Sequence, residues 1–315
     1  MSNGRKVRLY IGWTSKVLPL LVIYALIVPL VACSNNIQQG SENKLRVLVT
    51  TTIVRDVVLQ VSEDLVNLDV LLPVGTDPHT FTPTPQDLAK ISRAEVLFMN
   101  GAGLETFLQA YLENIGEKVR VVELSAEVSL IQASEDSDHN SGDPHTWTDP
   151  MNVKIWVDQI AATLSELDPS HADIFQANAE AYQSQLDELN AWIETQVGQI
   201  SPANRKLVSD HDSLAYFAQR YGFKLIGTVI PGTSTLAEPS AQEVARLEDL
   251  IRAENVRAIF VDTAANPVLS ERISQDTGVK IIFIYSGSLT DAKGEAGTYL
   301  DYMRYNVSEI VSALK

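Results

Sequence analysis

No disulfide can form within this chain, because its 315 residues hold a single cysteine, Cys33. The disulfide frameworks that staple small secreted domains are therefore excluded. Histidine is scarce as well, with five in all. Basic residues are in deficit: 24 Lys and Arg face 40 Asp and Glu, for a formal charge of −16. Such a balance repels polyanions and enriches cations near the surface, so nucleic acid is not an expected partner. Low-complexity tracts and short-period repeats are absent. Neither H-E-x-x-H nor G-x-S-x-G occurs, which removes two common signposts of hydrolytic enzymes.

What is present begins with a segment unlike the rest. Arg5, Lys6, Arg8 and Lys16 precede an apolar run from Val17 to Ala32, broken only by Pro19 and Pro29, and residues 1–32 contain no acid. A basic front followed by an apolar stretch reads as a secretory signal peptide. It ends in Leu30-Val31-Ala32-Cys33, the pattern of a bacterial lipobox, so Cys33 is the expected lipidation site and mature N-terminus. Several acyl chains would then meet the need for more than one hydrophobic anchor. An uncleaved anchor with a buried cysteine is the alternative, but the cysteine ends the apolar run and the polar stretch "SNNIQQGSENK" (residues 34–44) follows it. That stretch reads as a flexible tether. Removing residues 1–32 takes away four bases and no acid, leaving a formal charge of −20. The expected location is extracytoplasmic, lipid-anchored to a bacterial membrane at its periplasmic face or the cell surface.

Past the tether, apolar runs alternate with amphipathic stretches. Strands are expected at Leu45–Thr51, Val66–Leu72, Val96–Met99, Val119–Leu124, Lys206–Ser209, Lys224–Val229, Ala258–Val261 and Val279–Ile284, with helical patterns such as Gln86–Ala94 and Gln242–Glu254 between them. This alternation implies α/β layers with mainly parallel sheets. It fails from Asp168 to Gln199, where Phe175, Ala179, Tyr182, Leu186, Leu189, Ile193 and Val197 recur at three- and four-residue steps. The stripe predicts one long helix, with Asp168 capping its start, Pro169 in its first turn and Pro202 stopping it. About thirty residues would span roughly 45 Å. The expected plan is a signal peptide at 1–32, a lipidated cysteine and tether at 33–44, an α/β lobe at 45–165, a rigid linking helix at 166–200 and a second α/β lobe at 201–315. A lone stripe has no partner segment for a coiled coil, and a monomer is expected.

Two of the five histidines share a setting. "TDPHTFTP" (residues 76–83) carries His79 and "GDPHTWTDP" (residues 142–150) carries His145. Proline fixes φ and removes a donor, so both rings sit in stiff, non-helical turns. A third, His211, follows the Lys206–Ser209 strand in "KLVSDHDSLAYFAQRYG". Open α/β sheets bind ligands beyond the carboxyl ends of their strands. His79 and His211 follow strands and His145 precedes the helical pattern Val153–Leu164, so two facing sheets would bring all three to one cleft.

The chain resembles the solute-binding lipoproteins of zinc- and manganese-importing ABC transporters, the cluster A-I binding proteins. The matching pieces are "TDPHTFTPTPQD", "DPHTWTDPMN", "HDSLAYFAQRYG", "EPSAQEVARLEDLI", "IFVDTAANPVLSERIS" and "GTYLDYMRYN", in family order over essentially the whole mature chain. The resemblance implies metal binding by His79 and His145. The third motif carries histidine in zinc-type members and glutamate in manganese-type members, and this chain has His211. A fourth family ligand is often an aspartate shortly before the C-terminal helix. The corresponding stretch here, "YSGSL" (residues 285–289), places Gly287 in that position, which leaves water, Asp291 or another acid to complete the shell. Glu135, Asp136, Asp138 and His139 form a short acidic stretch before the second motif, a reduced form of the metal-collecting loop of zinc-type relatives or simply a solvated loop.

Donor chemistry favours zinc independently, since neutral imidazole suits Zn²⁺ at about 2.0–2.1 Å whereas manganese sites rely more on carboxylate oxygen. Mn²⁺ and Fe²⁺ are the alternatives. Each ligating ring needs an acceptor for its other N–H, and Asp77, Asp143, Asp210 and Asp212 are near in sequence. His171, in the first turn of the long helix, is expected to be exposed. The implied function is capture of Zn²⁺ between two lobes and delivery to an ABC permease in the membrane, with no catalytic residue. Three histidines and a water also describe some zinc enzymes, and an adhesin-like lipoprotein locked by metal is a further alternative.

Overall fold

A computed structural model describes residues 44–132 and 142–315. The signal segment, Cys33, nearly all of the tether and the stretch holding Glu135, Asp136, Asp138 and His139 lie outside the described residues. All eight expected strands form, each within a few residues of its apolar run. β1 (Arg46–Val49), β2 (Asn67–Val70), β3 (Val96–Met99) and β4 (Arg120–Glu123) make one sheet in the order β2-β1-β3-β4, every pair parallel. β5 (Lys206–Ser209), β6 (Lys224–Thr228), β7 (Ala258–Asp262) and β8 (Lys280–Ile284) repeat that plan as β6-β5-β7-β8, again parallel throughout. Of the four inner strands, β3 and β7 are buried at every position and β1 and β5 at all but the first, as strands covered by helices on both faces must be. In both sheets the strand order reverses beside the first strand, the crevice where such folds take their ligands.

The helices are α1 (Thr52–Ser62), α2 (Pro85–Ile91), α3 (Gln109–Leu112), α4 (Pro150–Leu167), α5 (Ala172–Val197), α6 (Ala215–Tyr221), α7 (Ala241–Glu254), α8 (Val268–Thr277) and α9 (Tyr299–Leu314). Local chemistry marks several starts. Thr84 with Asp87, and Ser240 with Glu243, form reciprocal capping boxes at α2 and α7, each satisfying two otherwise orphaned N–H groups. Asp149 caps α4, with Pro150 at the first helical position, where its missing N–H costs nothing. Among the described residues, no helix is long and apolar enough to cross a membrane.

The linking helix α5 buries the seven stripe residues Phe175, Ala179, Tyr182, Leu186, Leu189, Ile193 and Val197 and no others. Its 26 residues span about 39 Å, somewhat less than the stripe implied. The shortfall lies at the start, where Pro169–His171 form a 3₁₀ turn and α5 begins only at Ala172. Asp168 does not cap a backbone N–H there. Its carboxylate instead accepts from the Ser170 hydroxyl and from His171 Nδ1 at 2.6 Å. His171 is thus partly covered and tied down locally.

One hydrophobic cluster runs through both lobes, from Val47 and Phe98 through Phe175, Leu186 and Ile193 of α5 to Phe260 and Ile310. Smaller clusters lie under α2 on the far side of the first sheet and under α7 and α8 on the far side of the second. The two lobes therefore share a core with the helix that joins them.

Candidate metal centre

His79, His145 and His211 come together although they are distant in sequence. Their ring centroids lie 5.2, 5.4 and 5.1 Å apart pairwise. His145 Nε2 is 3.1 Å from His79 Nε2 and 3.3 Å from His211 Nε2. His145 and His211 are 1 % and 2 % exposed, and His79 is partly exposed.

Each ring is placed by an aspartate close by in sequence. In both Asp-Pro-His turns the aspartate carboxylate accepts the histidine backbone N–H at 2.9 Å, Asp77 for His79 and Asp143 for His145. Proline has no N–H, so the next free donor in the turn is that of histidine. Asp143 Oδ1 also accepts His145 Nδ1 at 2.7 Å. Asp210 Oδ1 likewise takes both the backbone N–H of His211 at 2.8 Å and its Nδ1 at 3.0 Å. A carboxylate partner assigns the proton to Nδ1. With Nδ1 so committed, the Nε2 atoms of His145 and His211, 3.3 Å apart, are the ring atoms left to share a cation, whether a proton or a metal ion.

Charge around the triad is uneven. Burial, and then the other two imidazoles, hold His79 well below the usual histidine value. Burial also works against charge on His211, but Asp210, Asp262 and Asp77 outweigh it and raise that histidine. Asp210 is correspondingly lowered: burial opposes its charge, and His211 with two backbone N–H bonds overcomes it.

Of the four nearby acids, Asp143 and Asp210 orient rings. Asp77 orders its turn, and its second oxygen accepts the Thr235 hydroxyl at 2.6 Å, joining the first lobe to the second. Asp212 contributes its backbone N–H to Gly232 O at 3.0 Å. A fifth acid, Asp262, falls within the "IFVDTAANPVLSERIS" stretch, where nothing in the sequence marks it as part of the site. It is the last residue of β7 and 8 % exposed, and its N–H donates to Asp210 Oδ2 at 2.8 Å. Asp262 Oδ2 accepts the Ser286 hydroxyl and, at 3.2 Å, the Gly287 N–H. It lies outside the group of three converging donors.

Gly287 has a positive reason to be glycine. A Cβ there would lie 2.8 Å from Pro78 Cδ and 3.2 Å from Pro78 Cγ, so the loop before α9 packs directly on the turn that carries His79. Asp291 is exposed and borders a separate cavity of about 190 Å³ with Thr52, Arg55 and Asp56. Other polar bonds close the lobes around the triad. Trp147 Nε1 donates to Ser286 O at 2.9 Å, Tyr216 Oη to Asp143 O at 2.7 Å, and Arg220 Nε to Asp149 Oδ2 at 2.8 Å.

The donor set fits a transition metal. Nitrogens bound at about 2.0–2.1 Å with tetrahedral angles stand about 3.3 Å apart, close to the 3.1 and 3.3 Å edges of the triad. An octahedral ion with slightly longer bonds meets similar edges, so spacing alone does not select the metal.

Comparison with known proteins places the chain in a family. Residues 47–313 match the family model described as zinc-uptake complex component A, periplasmic. The manganese-binding lipoprotein MntA of Halalkalibacterium halodurans is 34 % identical over 275 residues, covering 86 % of this chain and 88 % of that protein. The periplasmic zinc-binding protein TroA of Treponema pallidum superposes with a TM-score of 0.81 at 28 % identity, over 86 % of this chain and 99 % of that one. A manganese-bound periplasmic metal-binding protein from Candidatus Liberibacter asiaticus gives a TM-score of 0.76 at 26 % identity, over 87 % of this chain and all of that one. With the family model covering nearly the whole described chain, two parallel sheets flanking a clustered histidine triad, and no enzyme among these relatives, this chain belongs to the ZnuA family of extracytoplasmic metal-binding components of ABC importers.

Proposed function

We propose that this protein captures Zn²⁺ outside the cytoplasmic membrane through His79, His145 and His211, and releases it to a membrane permease while tethered by lipid on Cys33. The observation that carries the reading is the convergence of three Nε2 atoms at 3.1 and 3.3 Å, two of them with Nδ1 committed to Asp143 and Asp210. Ligation needs neutral imidazoles with outward lone pairs, and each aspartate fixes its ring in that tautomer. Capture consists of three loops, two from the first lobe and one from the second, closing their donors on one ion, which displaces any proton on His211. Release follows when one of those loops withdraws.

Zinc rather than manganese is favoured by the donors. Three nitrogens, with Gly287 where relatives often place an aspartate, form a borderline-soft set with no protein carboxylate in it. Manganese is the second reading, and the relatives named as manganese-binding support it. Competition titration of metal-stripped, tag-free protein separates the two. Zinc should displace Mn²⁺ at equimolar concentration and bind one ion per chain. Retention of Mn²⁺ against equimolar Zn²⁺ would overturn the zinc assignment, and failure to bind either ion would overturn the metal site itself. Restored zinc-dependent growth in a strain lacking its own zinc-binding component, dependent on Cys33, would test delivery and anchoring.

A further inference from the structure

Behind the His145 turn lies a buried carboxylate that the metal triad does not use. Glu105, 4 % exposed, sits in the loop between β3 and α3. Three donors converge on it. Oε1 accepts the Thr50 hydroxyl at 2.7 Å and the Asn100 N–H at 2.8 Å, and Oε2 accepts the Gly101 N–H at 3.0 Å. Asn100 is fully buried, and its Nδ2 donates to Gly101 O at 2.8 Å and to Pro144 O at 2.9 Å. Pro144 immediately precedes His145. With two carbonyls in front of it, the asparagine must point its NH₂ group there, which leaves Oδ1 buried without a partner. A buried orphan acceptor is a standing cost that a structural asparagine would not need.

We propose that ionised Glu105 and Asn100 form a strut that positions the His145 turn, so that the rate of metal release depends on this pair although neither residue touches the ion. The inference rests on the metal-site reading above. The carboxylate holds the loop by three hydrogen bonds, the loop holds the Asn100 side chain, and the amide holds the carbonyl one residue before the ligand. A proton on Oε2 would face the Gly101 N–H, donor against donor, and the strut would loosen. Such protonation is within reach at neutral pH. Burial raises Glu105 to about 7 in opposition to its three hydrogen bonds. The cavity of about 290 Å³ that it borders is lined by two further acids, Glu113 and Glu123, and by no base. The folded state therefore holds this proton more tightly than the unfolded chain does. The protonated form supports the fold fully below about 4.5, and that contribution is lost as pH rises through about 7.

Glu105→Gln copies the protonated state, because its amide nitrogen faces the Gly101 N–H at every pH. The test measures Zn²⁺ dissociation into an excess of chelator at about pH 6, 7 and 8. At pH 8, E105Q and Asn100→Ala should release zinc about tenfold faster than the natural chain, the lower end of the effect of outer-sphere partners on metal sites. The E105Q-to-natural ratio should fall towards one at pH 6, where the natural carboxyl is itself protonated. Histidine protonation is common to both proteins and cancels in this ratio. Thr50→Val leaves both strut residues in place but removes one donor, and should move the pH of accelerated release upward. Metal-free melting checks that each variant folds, and T50V keeps the test alive if N100A or E105Q does not. Equal release rates at pH 8, a ratio constant across pH, or an unmoved T50V profile would each overturn the strut. Absence of zinc binding by the natural chain would instead count against the proposed function.

Discussion

The two Asp-Pro-His turns are nearly the same in sequence and differ in what their aspartates hold. At 143–145 one carboxylate oxygen takes both the backbone N–H and the ring Nδ1 of His145, and the ring is sealed at 1 % exposure. At 77–79 the carboxylate takes only the backbone N–H of His79, and its other oxygen reaches across to Thr235. His79 stays partly exposed, and no carboxylate holds its Nδ1 among the described residues. One turn is an anchor and the other an arm. A single motif has been fitted to two tasks by what packs around it: Trp147 and Tyr216 close over the anchor, while the arm rests on Gly287.

The comparison breaks first at the rings. His145→Ala and His211→Ala should abolish tight zinc binding, a loss of more than about 100-fold, which exceeds what outer partners contribute. His79→Ala should be milder, retaining a weak two-histidine site, as titration calorimetry of the three variants would reveal. Equal losses at all three positions would erase the distinction between anchor and arm. All three should fold, since the rings line a cleft and not the core, and far-ultraviolet circular dichroism should be unchanged.

Next come the aspartates. Asp143→Asn and Asp210→Asn keep shape but lose the charge that fixes the Nδ1 proton, and zinc affinity should fall by about 10- to 100-fold. Asp77→Asn touches no ring nitrogen and should cost less than about tenfold, chiefly through the Thr235 contact. An Asp77→Asn loss as large as that of Asp143→Asn would show that the first turn is an anchor too.

Much of this molecule could be read before any coordinates. All eight apolar runs form strands, those of the inner β3 and β7 continuously apolar because helices cover both faces of the sheet, and the period of the α5 stripe singles out its seven buried residues. The α-helix starts later than the stripe implies because Pro169–His171 wind as a 3₁₀ turn. Near-neighbour acids could be named but not assigned, since hydrogen bonding to the ring, to the turn or to the opposite lobe depends on angles that sequence does not carry. Asp262 and Glu105 were missed for a different reason. Each acts through a strand neighbour or a loop, β7 beside β5 for Asp262 and the Asn100 amide for Glu105, and such adjacency exists only after the sheet is ordered. In the sequence Gly287 is only a missing donor, whereas its contact with Pro78 gives the absence a steric cause.

Protonation sharpens the picture further. In the metal-free protein, the Asp210 partner raises His211, so this pair supports the fold fully below the unfolded histidine value of 6.5 and the support is lost as pH rises through the raised value. With His211 as a ligand, as proposed, metal needs the neutral ring and must displace that proton, so acid opposes loading. The rise in melting temperature on adding zinc should therefore be larger at about pH 8 than at about pH 6. Asp210→Asn should flatten this dependence, because His211 then loses its main stabilising charge. A zinc-induced shift independent of pH would mean that His211 is neutral in the metal-free state.

The smallest expected effect lies where the arm meets the opposite lobe. Gly287→Ala places one carbon 2.8 Å from Pro78 Cδ, well inside normal contact, so either the turn or the loop must give. Pro78 is rigid, and His79 is the next residue. The displacement should therefore reach the His79 ring and weaken zinc binding several-fold, with little change in metal-free stability because the loop before α9 can yield. Gly287→Asp adds a carboxylate at the same steric cost, and harder cations should recover what displacement removes. The Zn²⁺/Mn²⁺ preference should then fall in the aspartate variant relative to the alanine variant. If both variants show the same preference, side chains at 287 do not reach the ion, and Gly287 acts only as the surface on which the arm rests.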